Sequence, residues 1–376
     1  MFWQHEYERE ASAMTLPSTF QLDLPENGLL GSILLRFTGT QAMGYGQGAA
    51  DWRIIDKLTK FVILANGATI IKSLTGLQAQ ALSVLDQGVM PPSVWQNYAT
   101  NMQTEYVLIN FGRKLYDRDY GLDLARFKNI ELQITNDAAA ASFSDITVSI
   151  MAIYLRDAPA GNFKGYMRSE EWRSWTTVMD ETKYLDLPTE HILRRVLFQA
   201  IPELDADFVG KTGMNNLMDD IEFSLDTGVM RVHKGGIDDL MRMNYYDLGA
   251  VLFATGSAYQ LADDGIDISL GFVLGGAWGS GSQDGAVAAT NTTLETGRDS
   301  YTQKSETYEV DHPVGFLFAG ITPFLCAQIR FDYDPDPATW LDPNARKTVE
   351  CNIHTRSHAD ADAGRNAVVL DRLVRY

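Results

Sequence analysis

The chain has 376 residues, 45% of them hydrophobic and 21% charged, which excludes a disordered or fibrous protein and leaves room for two cores of roughly 150 residues each. With 31 Lys and Arg against 49 Asp and Glu, the formal charge of -18 opposes binding to a phosphate backbone, and no local basic patch reverses it. Two cysteines, Cys326 and Cys351, exclude a disulfide scaffold and a four-thiolate zinc centre and supply one crosslink at most.

In chain order, residues 1–14 carry Glu6, Glu8, Arg9 and Glu10 where a signal peptide needs a basic start and an apolar run, so they read as a short amphipathic helix or arm. The most apolar windows, Phe61 to Ile71 and Ile146 to Leu155, fall short of the roughly 20 apolar residues that cross a bilayer. Three blocks then recur in the same order in the two halves. Leu22-Asp23-Leu24-Pro25 and the apolar run Leu29 to Phe37 return as Leu185-Asp186-Leu187-Pro188 and Ile192 to Ala200, at an offset of 163. Ile55 to Gly88 returns as Asn216 to Gly249. Each has a strand-like segment, a turn at Asn66-Gly67 or Thr227-Gly228, a second strand, and a helix closed by Asp86-Gln87-Gly88 or Asp247-Leu248-Gly249. Leu122-Asp123, Lys128, Ile130-Glu131 and Ile134 return as Leu341-Asp342, Lys347, Val349-Glu350 and Ile353 at an offset of 219, and a final apolar strand follows each.

From Gly88 to Leu122 there are 34 residues, but from Gly249 to Leu341 there are 92. The second copy therefore carries an insertion, which includes Gly275-Gly276-Ala277-Trp278-Gly279-Ser280-Gly281 and a Ser, Thr and Asn-rich run to Thr307. A segment so poor in apolar side chains predicts a surface excursion. The copies meet near Asp157-Ala158-Pro159-Ala160-Gly161, and Glu170 to Met179, with Trp172 and Trp175, is expected to form a connecting helix. Period-two alternation, as in Ile130, Leu132, Ile134 and in Ile146, Val148, Ile150, Ala152, Tyr154, predicts strands with one buried side, about eight per copy. The pattern is that of two antiparallel sandwiches in tandem.

This order of elements resembles the double jelly-roll major capsid proteins of tailless icosahedral viruses, and within them those of prokaryotic viruses, from about Thr19 to Tyr376. The resemblance implies an all-β fold of two tandem eight-stranded jelly-roll barrels with short flanking helices. The expected divisions are an N-terminal arm or helix over 1–18, a first jelly roll over 19–157, a linker with a helix over 158–181, and a second jelly roll over 182–376 with its insertion at about 250–309. It further implies a non-enzymatic protein of the virion, assembled in the host cytoplasm, with three chains forming a pseudo-hexameric capsomer. The implied partners are neighbouring capsomers, penton and minor capsid proteins, and an internal membrane facing residues 1–14. The insertion from Ala250 to Glu309 would rise as an outward tower.

No catalytic, cofactor or metal residues are assigned. Asp332, Asp334 and Asp336 have the spacing that opens a calcium loop, but Pro337 and Pro343 stand where that loop needs glycine and a bidentate glutamate, so a solvated acidic turn is expected. His354, His358, Asp360 and Asp362 read as a polar loop, and Gly44-Tyr45-Gly46-Gln47-Gly48 as a loop without the lysine and strand of a phosphate site. Asn291-Thr292-Thr293 is a formal glycosylation sequon. With six histidines and no nucleophile elbow, hydrolase chemistry lacks base partners. The competing reading is a two-domain carbohydrate-active enzyme or lectin, in which Trp278 or Trp340 beside acids would line a cleft.

Overall fold

The computed structural model describes residues 1–42, 53–97, 100–139, 142–159, 161–201, 214–249, 251–260, 266–269, 274–275, 278–283, 300–303, 312–356 and 364–376. The first half contains strands β1 (Phe2–Ala13), β2 (Ser18–Asp23), β3 (Leu29–Gln41), β4 (Leu58–Ala65), β5 (Thr69–Leu74), β6 (Trp95–Asn97), β7 (Met102–Asn110), β8 (Leu122–Asp123), β9 (Ile130–Asn136) and β10 (Phe143–Arg156). Helices α1 (Ile54–Lys57) and α2 (Gly76–Gln87) flank the β4-β5 hairpin. Two layers result, a five-stranded sheet β1-β10-β3-β7 with β8 also paired to β3, and the strands β2-β9-β4-β5. Their facing sides are the alternating apolar residues that the period-two pattern predicts: Ile130, Leu132 and Ile134 on one sheet, Ile146, Val148, Ile150, Ala152 and Tyr154 on the other, all buried. Phe37 and Phe61 meet edge-on across the layer, 6.0 Å between ring centres. Each such ring contributes roughly 1.5–3 kcal/mol by leaving water.

The second half repeats this plan. It contains β11 (Gly165–Thr176), β12 (Thr182–Asp186), β13 (Ile192–Ile201), α3 (Met214–Leu217), β14 (Met218–Leu225), β15 (Met230–Gly236) and α4 (Ile237–Leu248). Within the insertion lie β16 (Leu252–Gln260), β17 (Ile266–Ser269), β18 (Leu274–Gly275), β19 (Trp278–Gln283) and β20 (Ser300–Gln303), followed by β21 (His312–Gly320), β22 (Thr322–Pro323), β23 (Cys326–Arg330), β24 (Val349–Thr355) and β25 (Arg365–Arg375). The strand orders β11-β25-β13-β23 and β12-β24-β14-β15 match the first half strand for strand. The two barrels are also joined: β5 and β11 pair in parallel, Lys72 opposite Ser169 and Ser73 opposite Glu170, so one eight-stranded sheet runs through both. β16 pairs with β6 of the first barrel and with β21, so the described part of the insertion is sheet, not open loop.

Two expected helices are strands. Of residues 1–14, Phe2–Ala13 form β1, paired along β10 from Phe2 opposite Arg156 to Ala13 opposite Thr147, and so belong to the first barrel rather than to a separate arm. Residues 170–179 do not form a connecting helix; most of them lie in β11, paired along β25. Both differences share a cause: pairing with β10 and β25, which are remote in the chain, overrides the local pattern.

The two shared helices end as their sequences predict. Gly88 (φ 74°) and Gly249 (φ 71°) take the left-handed conformation, and a Cβ at either position would meet no neighbouring atom, so the demand for glycine is conformational alone. At the start of α2, Thr75 Oγ1 accepts from the Gln78 backbone N–H at 3.3 Å, and Gln78 Oε1 accepts from the Thr75 N–H at 3.0 Å, forming a capping box. The start of α4 has Gly236 and no side-chain cap, with Asp238 and Asp239 in its first turn. Thr75→Ala should therefore cost about 1 kcal/mol, read as a lower urea midpoint with an unchanged slope.

Candidate functional site

The junction between the barrels is where charge is concentrated in the interior. β5 presents Lys72, the end of α2 presents Asp86, β13 presents Arg194 and Arg195, and β25 presents Asp371, all buried. Asp332, just beyond β23, completes a set of three cations and three carboxylates. Arg194 bridges Asp86 (3.0 Å), Asp332 (2.7 Å) and Asp371 (3.2 Å). Arg195 pairs with Asp86 and lies 3.3 Å from Asp371. Lys72 Nζ donates to Ser169 Oγ at 2.8 Å, and Ser169 Oγ donates to Asp371 Oδ1 at 2.7 Å. Since Lys72 and Asp86 come from the first barrel and the rest from the second, the ion pairs clamp the parallel β5-β11 seam.

The balance of charge makes the burial tolerable, because an unpaired ion there would cost several kcal/mol. Burial alone opposes ionisation of Asp371, but Arg194 and Arg195 outweigh it and hold the carboxyl below its ordinary range; Asp332 is depressed in the same way. Lys72 is pushed down to about 8, chiefly by burial and against the pull of Asp371 and Asp86. A cavity of about 20 Å³ lined by Lys72, Asp86, Ser169, Arg194 and Asp371 adjoins the cluster; it has room for one water and not for a ligand. A second clamp is made by the C-terminus, where Tyr376 Oη accepts from the Asp123 N–H at 2.6 Å and donates to Gly121 O at 3.1 Å in the first barrel.

The residues singled out from sequence fare differently. Asp332 is not a solvated carboxylate: it is buried and takes up Arg194 and Arg330. Asp334 Oδ1 accepts from the Asp336 N–H at 2.7 Å, and Asp336 Oδ1 caps a short helical turn through the Ala338 N–H at 3.0 Å. The three carboxylates thus face separate partners, and among the described residues no group of three or more His, Cys, Asp or Glu is placed to hold a metal. Trp340 is buried and donates Nε1–H to Asp334 O at 2.7 Å, which removes it from any sugar-binding cleft. Cys326 and Cys351 are free, buried thiols, each raised in pKa by burial. His354 lies 3.2 Å from Thr182 Oγ1 and 3.6 Å from Asp180. His358, Asp360, Asp362, Gly44 to Gly48 and Asn291 to Thr293 lie outside the described residues, as does the Trp278 side chain.

The sequence reading missed the charge cluster, although it leaves a signal. Arg194-Arg195 interrupts the apolar run Ile192 to Phe198, Lys72 follows Ile70-Ile71, and Asp371-Arg372 divides Val368-Val369-Leu370 from Leu373. Charges in the middle of a buried strand require buried partners.

No family model and no curated protein matches this sequence. Solved structures do. A chain of the Sulfolobus turreted icosahedral virus matches with a TM-score of 0.63 at 12% identity, over 99% of this chain and 91% of that one. The major capsid protein of bacteriophage PM2 matches with a TM-score of 0.52 at 11% identity, over 99% and 98%. The chain is a double jelly roll. A chain of the PBCV-1 virus capsid agrees, with a TM-score of 0.57 at 10% identity over 99% and 93%. What makes this double jelly roll one body is its junction, and two outcomes test that. Asp371→Asn, which strips Arg194 and Arg195 of a buried counter-ion, should lower unfolding free energy by roughly 3–5 kcal/mol in urea titrations. Because the folded pKa values of Asp332 and Asp371 lie below the unfolded value of about 3.9, their stabilisation is complete above that pH and is lost below it. Melting temperature should therefore fall steeply below about pH 4.

Proposed function

We propose that the chain is a viral major capsid protein that forms homotrimers, each a pseudo-hexameric capsomer of an icosahedral shell. The observation that carries this reading is the match of both barrels, over 99% of the chain and more than nine tenths of each counterpart, to capsid chains of separate viruses. A hexagonal lattice site needs near-sixfold contacts, and a chain with two like barrels supplies them with three chains. Within the junction the buried ions pair with one another, and the cavity beside them has room for one water.

In this reading the insertion at about 250–309 faces outward from one end of the second barrel, and neighbouring capsomers, penton proteins and minor capsid proteins meet the lateral faces. The activity is assembly, without catalysis. A charge of -18 per chain keeps free capsomers apart until salt shortens the screening length, about 10 Å at 0.1 M. Light scattering behind gel filtration should give the mass of three chains, and lattice growth should rise with ionic strength. A monomer at every concentration would overturn the capsomer reading, and growth indifferent to salt would overturn its electrostatic part.

A further inference from the structure

The duplication lets each barrel serve as a template for the other's unfilled edge. β1 and β11 are counterparts, each pairing antiparallel with its barrel's last strand and each broken by a bulge, after Tyr7 in one, which has a second irregularity after Arg9, and after Glu171 in the other. Aligning the bulges sets His5 at the place of Ser169 and Glu6 at the place of Glu170. β5 and β15 are likewise counterparts, and their bulges against β4 and β14 set His233 at the place of Lys72 and Lys234 at the place of Ser73.

Within the chain the β5 edge is taken by β11, and α2 beside it is covered: Gln78 and Ala81 are fully buried, and Gln78 Nε2 donates to Gln199 Oε1 of the second barrel at 3.0 Å. In the second barrel the same surface is open among the described residues, where β15 ends its sheet as β1 ends its own. The α4 positions that correspond to Gln78, Ala81, Leu82 and Leu85, counting back from Gly88 and Gly249, are Asp239, Arg242, Met243 and Tyr246. Met243 is 62% and Tyr246 78% exposed, against 7% for Leu82. The edges are also opposite in sign. β1 carries Glu6, Glu8 and Glu10 against Arg9, with Glu6 3.2 Å from Arg156 and half exposed, whereas on β15 Arg231 and Lys234 share a single carboxylate, Glu222.

We propose that the β15 edge and the outer face of α4 receive β1 of a second chain, in the parallel register that β5 and β11 already use. His5 of the second chain then lies opposite His233, and its Glu6 opposite Lys234. Its Arg36, the counterpart of Gln199 on the matching bulged strand, reaches Asp239 as Gln199 reaches Gln78. The contact is head to tail, which gives a ring where its rotation closes and an open filament where it does not; that it closes, and at three chains, rests on the capsomer reading.

The test is a cysteine pair in the full chain, Glu6→Cys with Lys234→Cys, oxidised and run without reductant; the native thiols are buried. A covalent product of three times 41.8 kDa is expected from the pair and none from either single variant. Tyr246→Asp, at a site exposed in the lone chain, should weaken association about tenfold or more while leaving the circular dichroism of the sheet unchanged. A protein of trimer mass with no crosslink, and with Tyr246→Asp assembling normally, would overturn the interface and leave the capsomer reading standing. A dimer from Glu6→Cys alone would show β1 pairing with itself and overturn the interface too. A wild-type chain that stays monomeric would overturn the capsomer reading beneath it.

Discussion

Six charges buried at one seam govern the rest of this structure. Apolar faces pack with little regard for direction, so two sandwiches joined only by oil could slide or rotate against each other. Arg194, held by Asp86, Asp332 and Asp371, accepts one arrangement of three different elements, and Lys72 and Ser169 extend that arrangement into the parallel strand pair. Desolvating these ions costs much of what their attraction returns. What remains is orientation: the two barrels are held at one fixed angle.

Around that seam, near-identical elements have taken different surfaces. α2 and α4 share length, position and a left-handed glycine stop, yet α2 is lined by Gln78, Ala81 and Leu82 against a covering barrel, while α4 shows Asp239, Arg242 and Met243 outward. Asp86 and Asp247 occupy the same turn. The first is clamped at the junction by Arg194 and Arg195, and the second sits at the surface with Arg330. The cover that the second barrel gives α2 has no counterpart on α4 among the described residues.

The sequence made the duplication legible because the repeated blocks are the ones where local chemistry is strict: the alternating strands, the hairpin turns and the Asp-x-Gly helix ends. The correspondence of β1 with β11 was not legible, since the two strands share bulge position and pairing but almost no side chains. Their strand assignment comes from β10 and β25, which are remote in the chain. Asp332 was misplaced for a related reason: its neighbours Asp334 and Asp336 are turn residues, and nothing nearby announces Arg194, 138 positions away. The charges inside apolar runs were the one visible trace of the junction. They were readable as a demand for partners, though not as to which partners.

If one rigid two-barrel unit, clamped at its own seam, repeats its internal junction between chains, single-particle reconstruction of the purified oligomer, with no symmetry imposed, will show six barrels in a ring, with β5-β11 seams inside chains alternating with β15-β1 seams between them. A ring joined through other strands, or chains whose two barrels vary in relative orientation from particle to particle, would contradict it.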